Sequence, residues 1–386
     1  MKILRFTVHG LDLFPEGFDF NFVAQQNVTE DNNEGLEHLF ANMYTHNALA
    51  LIGINASGKT ASLKLISAVL NIFFTHDRLN IDRHKEVLKG KQITITSYFY
   101  TQNEFILKLD SSISKNEKGE WYFAEEILYK KKIKSIKSKL KLFEFNERDF
   151  IKKRSLENHE YLVDDLSIFV AELKKEQSTP EVFAVTGFTN FNFMNIAGNV
   201  PLEVIQFLDP SIEYVKAEKM RDTDVIRLKF KSQTSEIEVY PIVALENYLS
   251  SGTIKGLNLF AYINHTLKKN GYLIVDELEN HFNKAIVRTI IGFFRNEKTN
   301  PNGATLIFST HYPELLDDFD RNDSIYVCRK QNVLSIINLM YLLKRNDMKK
   351  SEVYQSDFIG GTAPDYNAYI SLKDQFIKLH HTDFVK

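Results

Sequence analysis

Cysteine is almost missing from this chain. A single one, Cys328, among 386 residues excludes an internal disulfide framework and a cysteine-built zinc site, and it fits a reducing cytoplasm. No apolar run approaches the roughly 20 residues needed to cross a bilayer. The opening "MKILRFTVHGLDLF" alternates like a strand and lacks a signal peptide's apolar core. The expectation is a cytoplasmic protein with no membrane partner. An excess of either charge is absent too: 48 Lys and Arg stand against 50 Asp and Glu, for a net charge of −2. That excludes a wholly basic nucleic-acid coat and leaves room for a local patch. Internal repeats and low-complexity linkers are lacking, and no heptads persist between Thr60 and Leu249, which excludes long coiled-coil arms.

What is present reads as α/β. Two strands open the chain ("ILRFTVHGL", "FDFNFV"), a polar stretch runs from Gln25 to His38, and the apolar strand "ALALIGI" leads through a glycine-bounded loop into the helix "TASLKLISAVLNIFF". Residues 93–130 alternate ("ITITSYFY", "EFILKLD", "WYFAEEILYK") around a Lys-Gly turn, the pattern of an antiparallel meander. From Phe143 to about Phe230 the pattern is polar and mostly helical, as in a separate lobe. Buried strands return as "YLIVDE" and "ATLIFST", with the helix "KAIVRTIIGFFRN" between them.

The strongest chemical signal is "GINASGKT", made of Gly53, Ile54, Asn55, Ala56, Ser57, Gly58, Lys59 and Thr60, with Ala61 following in the helix. It fits G-x-x-x-x-G-K-[ST] and lies between a strand and a helix, as that motif requires. Small residues let the backbone curl so that successive amides face phosphate oxygens. Lys59 then reaches the β and γ phosphates, and the Thr60 hydroxyl serves a magnesium ion. The plain alternative is an ordinary glycine turn with a stray lysine.

Two further strand ends agree with it. "YLIVDE" closes on Asp276 and Glu277, and adjacent acids at the exit of a buried strand are costly unless something cationic or reactive faces them. Asp276 suits the Mg²⁺ shell and Glu277 suits a base for an attacking water; a solvated acidic turn is the alternative. "LIFSTHYPELLD" delivers Ser309, Thr310 and His311. His311 suits a sensor that hydrogen-bonds the γ phosphate, against a satisfied structural histidine.

"LSSGTIKG", Leu249 to Gly256, places a serine pair and a glycine at a helix start. One hydroxyl suffices for capping, so Ser250, Ser251 and Gly252 pose the question of an anion at the helix N-terminus. In this order, the loop, the Ser-rich helix start, the acidic strand and the terminal His resemble the ABC-type ATPases, and within them the SMC, RecF and OLD-like branch. The resemblance implies an α/β P-loop NTPase of ABC-ATPase type, with a mixed central sheet, an antiparallel β meander and a helical lobe. It implies a nucleotide-binding lobe at 1–142 and 266–386, and a helical lobe at 143–265 ending in the signature motif. ATP and Mg²⁺ would be bound in a head-to-tail homodimer or higher oligomer, where Ser250, Ser251 and Gly252 cap the γ phosphate on the partner's loop. Ser251 stands where the family usually has glycine, and Thr253 where it has Gln or Glu.

"DELENHFNK" resembles the "DEPExxLHP" run of RecF and OLD relatives, with Leu278 in place of the proline and Asn283 and Lys284 in place of His-Pro. By that likeness Asn280 and His281 lie near the dimer seam. The segments "WYFAEEILYKKK", "LFEFNERDF" and "SEVYQSDFIGGTAP" resemble the small AAA-type ATPases of abortive-infection and other anti-phage defence systems. The implied activity is ATP hydrolysis by a sensor or clamp subunit that serves a separate nuclease or toxin. The alternatives are a DNA repair or maintenance ATPase of RecF or SMC type, and a slow nucleotide-gated scaffold. A P-loop GTPase is excluded because Asn283-Lys284-Ala285-Ile286 lacks the acid of the base-reading motif. The run "YKKKIKSIKSKLK" reads either as a solvated strand edge or as a nucleic-acid contact through Lys130 to Lys141. Gln102 is one candidate for the family's glutamine loop.

Overall fold

The computed structural model describes residues 1–136, 138–154, 163–176, 179–186, 201–220, 223–240, 242–330, 332–345, 348–362 and 366–382. In chain order the strands are β1 (Lys2–His9), β2 (Phe18–Asn21), β3 (Leu36–Phe40), β4 (Met43–His46), β5 (Ala48–Ile52), β6 (Gln92–Tyr100), β7 (Phe105–Lys115), β8 (Trp121–Lys132) and β9 (Phe150–Lys153). They continue as β10 (Val182–Val185), β11 (Ile212–Met220), β12 (Thr223–Phe230), β13 (Ile237–Val239), β14 (Tyr272–Val275), β15 (Thr305–Thr310), β16 (Ile325–Lys330) and β17 (Leu334–Asn338). The helices that matter below are α1 (Lys59–Phe74), α2 (Leu202–Leu208), α3 (Ser251–Lys269) and α4 (Lys284–Arg295).

The core sheet has the order β10-β14-β15-β5-β16-β17. It is parallel except for β17, which runs antiparallel to β16. β5, β14 and β15 are buried along their whole length, as parallel strands covered on both faces must be. Side-chain alternation divides them between two cores. Leu49, Leu51, Ile274 and Ile307 pack with Leu63, Ile66 and Phe73 of α1, whereas Ala50, Ile52, Val275 and Phe308 pack with Leu259 and Ile263 of α3 and Val287 and Ile290 of α4.

The expected meander is part of a second sheet, β2-β1-β6-β7-β8-β9, antiparallel throughout. Its inner face joins the same core as α1, so that helix lies between two sheets, which accounts for the burial of most of its residues. At its far end Phe99 stacks on Phe169 with centroids 4.1 Å apart.

The helical lobe expected at 143–265 is corrected by the fold. Among the described residues that stretch holds five strands, β9 to β13, and before α3 its α-helices are only Val170–Leu173 and α2. β10 lies inside the expected lobe yet pairs with β14 as an edge strand of the core sheet. β11, β12 and β13 form a small antiparallel sheet whose Ile212, Val215, Ile226 and Leu228 pack with Leu249, Ile254 and Leu257 at the start of α3. The polarity of that stretch comes from charges paired across the outer face, where Arg227 meets Glu218 at 2.8 Å and Glu238 at 3.5 Å. Residues 155–162, 177–178, 187–200, 221–222 and 241 of the expected lobe lie outside the described residues.

A buried polar knot fastens residues 163–176 to the second sheet. Glu126, fully buried, accepts from Arg154 Nε at 2.9 Å, from Ser167 Oγ at 2.5 Å and from the Ile168 amide at 2.9 Å. Removing one partner of such a pair strands a buried charge, at a cost of about 3–5 kcal/mol. Glu126→Ala is therefore expected to lower the urea midpoint by that much stability at an unchanged slope. A loss below about 1 kcal/mol, the worth of an exposed pair, would show that the knot is not what holds the segment.

Candidate active site

The order of the core sheet sets the site. β15 lies between β5 and β14, so the C-terminal ends of three adjacent strands present the Gly53 loop, the Ser309–His311 end and the Asp276–Glu277 pair along one rim, where open α/β sheets bind ligands.

The loop's glycines answer to contacts. A Cβ on Gly53 would come within 2.2 Å of Ser57 Oγ and 2.6 Å of the Cys328 carbonyl oxygen, so any side chain there would force the loop open. Gly58 has φ +96° and Ala56 φ +60°, and these left-handed residues fold the loop back on itself. Ser57 is buried within it, while Asn55 and Ala56 are exposed and Ile54 and Ala61 half-buried. Lys59 Nζ donates to the carbonyls of Gly53 at 2.8 Å and Ile54 at 3.1 Å and lies 3.4 Å from His311 Nδ1. Burial lowers the pKa of this ammonium, and the fields of Cys328, Asp276, Glu277 and Glu279 oppose that shift.

Asp276 is the hub. Its Oδ2 accepts from Thr60 Oγ1 at 2.6 Å and its Oδ1 from Ser309 Oγ at 2.5 Å. Ser309 Oγ in turn accepts the Glu277 amide at 2.7 Å. Glu277 itself is non-glycine with φ +47°; its carboxylate Oε1 lies 3.4 Å from His311 Nε2. The His311 amide donates to Glu279 Oε1. Lys59, Thr60, Asp276, Glu277 and His311, all singled out in the sequence, thus meet in one connected network. Ser309 and Glu279 complete it. Hydroxyl and carboxylate oxygens from Thr60, Asp276 and Ser309 are the hard donors that magnesium takes, typically with only one or two protein carboxylates, so the donor set fits that ion.

The Ser-rich helix start is placed elsewhere. Among the described residues no hydrogen bond links Ser250, Ser251 or Gly252 to the 53–61 loop of the same chain. Ser250 is the cap of α3, accepting from the Thr253 amide at 3.1 Å, so the serine to which the resemblance gives a role in trans is also the structural one. Ser251 is exposed, with Oγ 3.1 Å from His281 Nδ1. Gly252 is packed so closely that a Cβ would reach 2.6 Å from the His281 carbonyl oxygen. Asn283 caps α4 through the Ile286 amide at 3.0 Å, and Lys284 pairs with Glu314 at 3.5 Å over the Tyr312 ring.

Gln102 sits in the β6–β7 turn with its amide on Glu176 Oε2 at 3.1 Å. Along Lys130 to Lys132, β8 is paired on one side with β7, while its register with β9 ends at Tyr129. Lys131 Nζ donates to the carbonyls of Lys141 and Glu144, both at 2.6 Å, and Lys139 Nζ to those of Gln25 and Gln26 at 3.2 and 2.8 Å. Lys130 Nζ lies 4.0 Å from the Phe105 ring centroid. Those three lysines are thus engaged by the protein itself; Lys137 lies outside the described residues. Near the C-terminus, Gly360 and Gly361 have φ +73° and +74°, the turn that "FIGG" requires, while Ala363 and Pro364 lie outside the described residues.

A family model described as "AAA domain, putative AbiEii toxin, Type IV TA system" matches residues 49–317. The chain belongs to this family. The match runs from β5 past His311, so it takes in the phosphate-loop motif, α3, Asp276–Glu277 and the β15 end. Membership makes the chain a P-loop NTPase, a small AAA-type ATPase of abortive-infection kind, and agrees with the mixed sheet and antiparallel sheets described above. No curated protein matches it. Among the described residues no helix is long and apolar enough to cross a membrane.

Proposed function

We propose that this AAA-family protein binds ATP on the Gly53–Ala61 loop and hydrolyses it in a head-to-tail dimer of ABC type, as the sensor or clamp of an anti-phage system whose effector is a separate toxin or nuclease. The observation that carries the reading is the double hold on Asp276 by Thr60 and Ser309, with Glu277 beside it and Lys59 across from it.

Each residue then has a task. The loop amides and Lys59 take the phosphate charge. Thr60, Asp276 and Ser309 would hold Mg²⁺, which when bound neutralises charge on the phosphate oxygens. Glu277 accepts the proton of the attacking water. His311, between Lys59 and Glu277, donates to the γ phosphate. From the partner, Ser251, Gly252 and the free amides of α3, a helix of 19 residues, would meet the γ phosphate at their positive helix end, with the Ser250 cap fixing their geometry and Asn280 and His281 lining the seam. A catalytic lobe at 1–142 and 266–386, completed by β10, would carry the ATP, and the rest of 143–265 would present the α3 start.

A mixing experiment tests the seam. Ser250→Arg is expected to bind ATP on its own loop but neither to dimerise nor to turn over. Combined with Lys59→Ala, which supplies an intact α3 start, it should regain partial turnover, because one of the two composite sites is then intact. If the Ser250→Arg protein merely loses the ~1 kcal/mol of a helix cap and still dimerises with ATP, the helix start has no role in trans.

A further inference from the structure

One buried cation that the proposed reaction does not use ties the start of α3 to the acidic turn. Lys255 is 4% exposed, and its ammonium donates to the carbonyl oxygens of Glu277, at 3.2 Å, and of Asn280. It lies 4.8 Å from the Phe282 ring centroid. Both acceptors belong to the turn that follows β14, not to α3. The same turn is touched by Ser251 and Gly252 through His281, so three residues from the first two turns of α3 converge on Glu277–Phe282.

That turn needs an external hold. Glu277 and His281 both sit in the left-handed region, with φ +47° and +67°, which a non-glycine residue keeps only where its surroundings over-determine it. On the core side the hold comes from Ser309, through the Glu277 amide and the Leu278 amide. On the other side it comes from Lys255.

We infer that Lys255 is a positioning residue: by gripping the carbonyls of Glu277 and Asn280 it fixes the backbone that aims the Glu277 carboxylate, and so links the α3 start to the active site of its own chain. A lysine is suited to this because its three donors can serve two carbonyls at once, and the Glu277 and Glu279 carboxylates near it compensate part of its burial. The burial still shows, since the pKa of Lys255 is lowered to about 8. The consequence is directional. A partner that engages Ser251 and Gly252 shifts the helix that holds Glu277, so each site senses occupancy of the other. This rests on Glu277 as the base.

The test compares Lys255→Met with the wild type in two measurements, because methionine keeps the stem and loses the donors. Hydrogen exchange of the amides in 276–282 should speed up at least tenfold while that of α1 is unchanged, and turnover should fall at least tenfold with ATP affinity within twofold. Lys255→Arg, charged but differently shaped, should restore protection only in part, and it carries both measurements if the methionine variant does not fold. Unchanged exchange in 276–282 overturns the clamp whatever the activity. Faster exchange with full turnover overturns its role in aiming Glu277. Glu277→Gln, run alongside, separates the readings: if that variant turns over ATP normally the base assignment fails, whereas the exchange measurement still decides the clamp.

Discussion

Glu277→Gln should abolish ATP turnover, by a factor of roughly 10² to 10⁴, while the protein still binds ATP and accumulates as an ATP-bound dimer. The substitution is unusually clean in this setting. The contacts that hold residue 277 in its left-handed conformation are made by its backbone, through the amide to Ser309 Oγ and the carbonyl from Lys255 Nζ, and an amide side chain leaves them in place. Asp276, with its bonds to Thr60 and Ser309, is untouched, so the magnesium donors persist. What is lost is a group able to take a proton, together with the charge facing His311 at 3.4 Å. Phosphate release in the steady state measures the first effect. Retention of labelled ATP on gel filtration measures the second. Turnover within a factor of two of the wild type would remove Glu277 from the chemistry.

Lys59→Ala has the other large effect, on binding. The Lys59 ammonium is held at the mouth of the loop by two carbonyls of the loop itself, so Lys59→Ala removes two hydrogen bonds within the loop and the contact to His311. Two charge-assisted hydrogen bonds to phosphate are together worth about 3–6 kcal/mol, which corresponds to roughly a 10²- to 10⁴-fold weaker ATP affinity. The loss of a partly desolvated cation offsets part of any folding cost, so the melting temperature should shift by only a few degrees. Calorimetric titration checks the affinity and a thermal melt checks the fold. An unchanged affinity in the folded variant would sink the phosphate-loop reading.

The site was legible to the extent that chemistry dictates residue type and spacing. A loop that wraps phosphate needs glycine where Gly53 and Gly58 stand, and a strand that ends in two acids announces itself against a run of Leu, Ile and Val. The strand order was not legible: β15 lies between β5 and β14, and chain order alone does not tell which parallel strand is inserted where. In the sequence Ser309 shows only as a residue delivered at a strand end. The available signal is three hydroxyls, those of Thr305, Ser309 and Thr310, in a strand covered along its length. Lys255 and Glu279 escaped because a charge on a helix or in an acidic turn reads as solvent-facing, whereas both are buried here.

The misread lobe has a different cause. In β11 and β12 the apolar residues needed for the small core, Ile212, Val215, Ile226 and Leu228, are diluted by charges that neutralise one another across the three-stranded sheet. Such a strand pair lacks the continuous apolar signal of the core sheet, so its polar sequence reads as helix. One hydroxyl of the serine pair does cap α3, and it is that of Ser250; the Ser251 hydroxyl is the exposed one, near His281.

Sedimentation velocity of Glu277→Gln, with and without ATP and magnesium, tests the central claim most directly. A monomer without nucleotide and a dimer with it are expected, and no dimer when Ser250→Arg is added to the same chain. A species whose sedimentation ATP does not change, or a dimer that Ser250→Arg leaves intact, would contradict it.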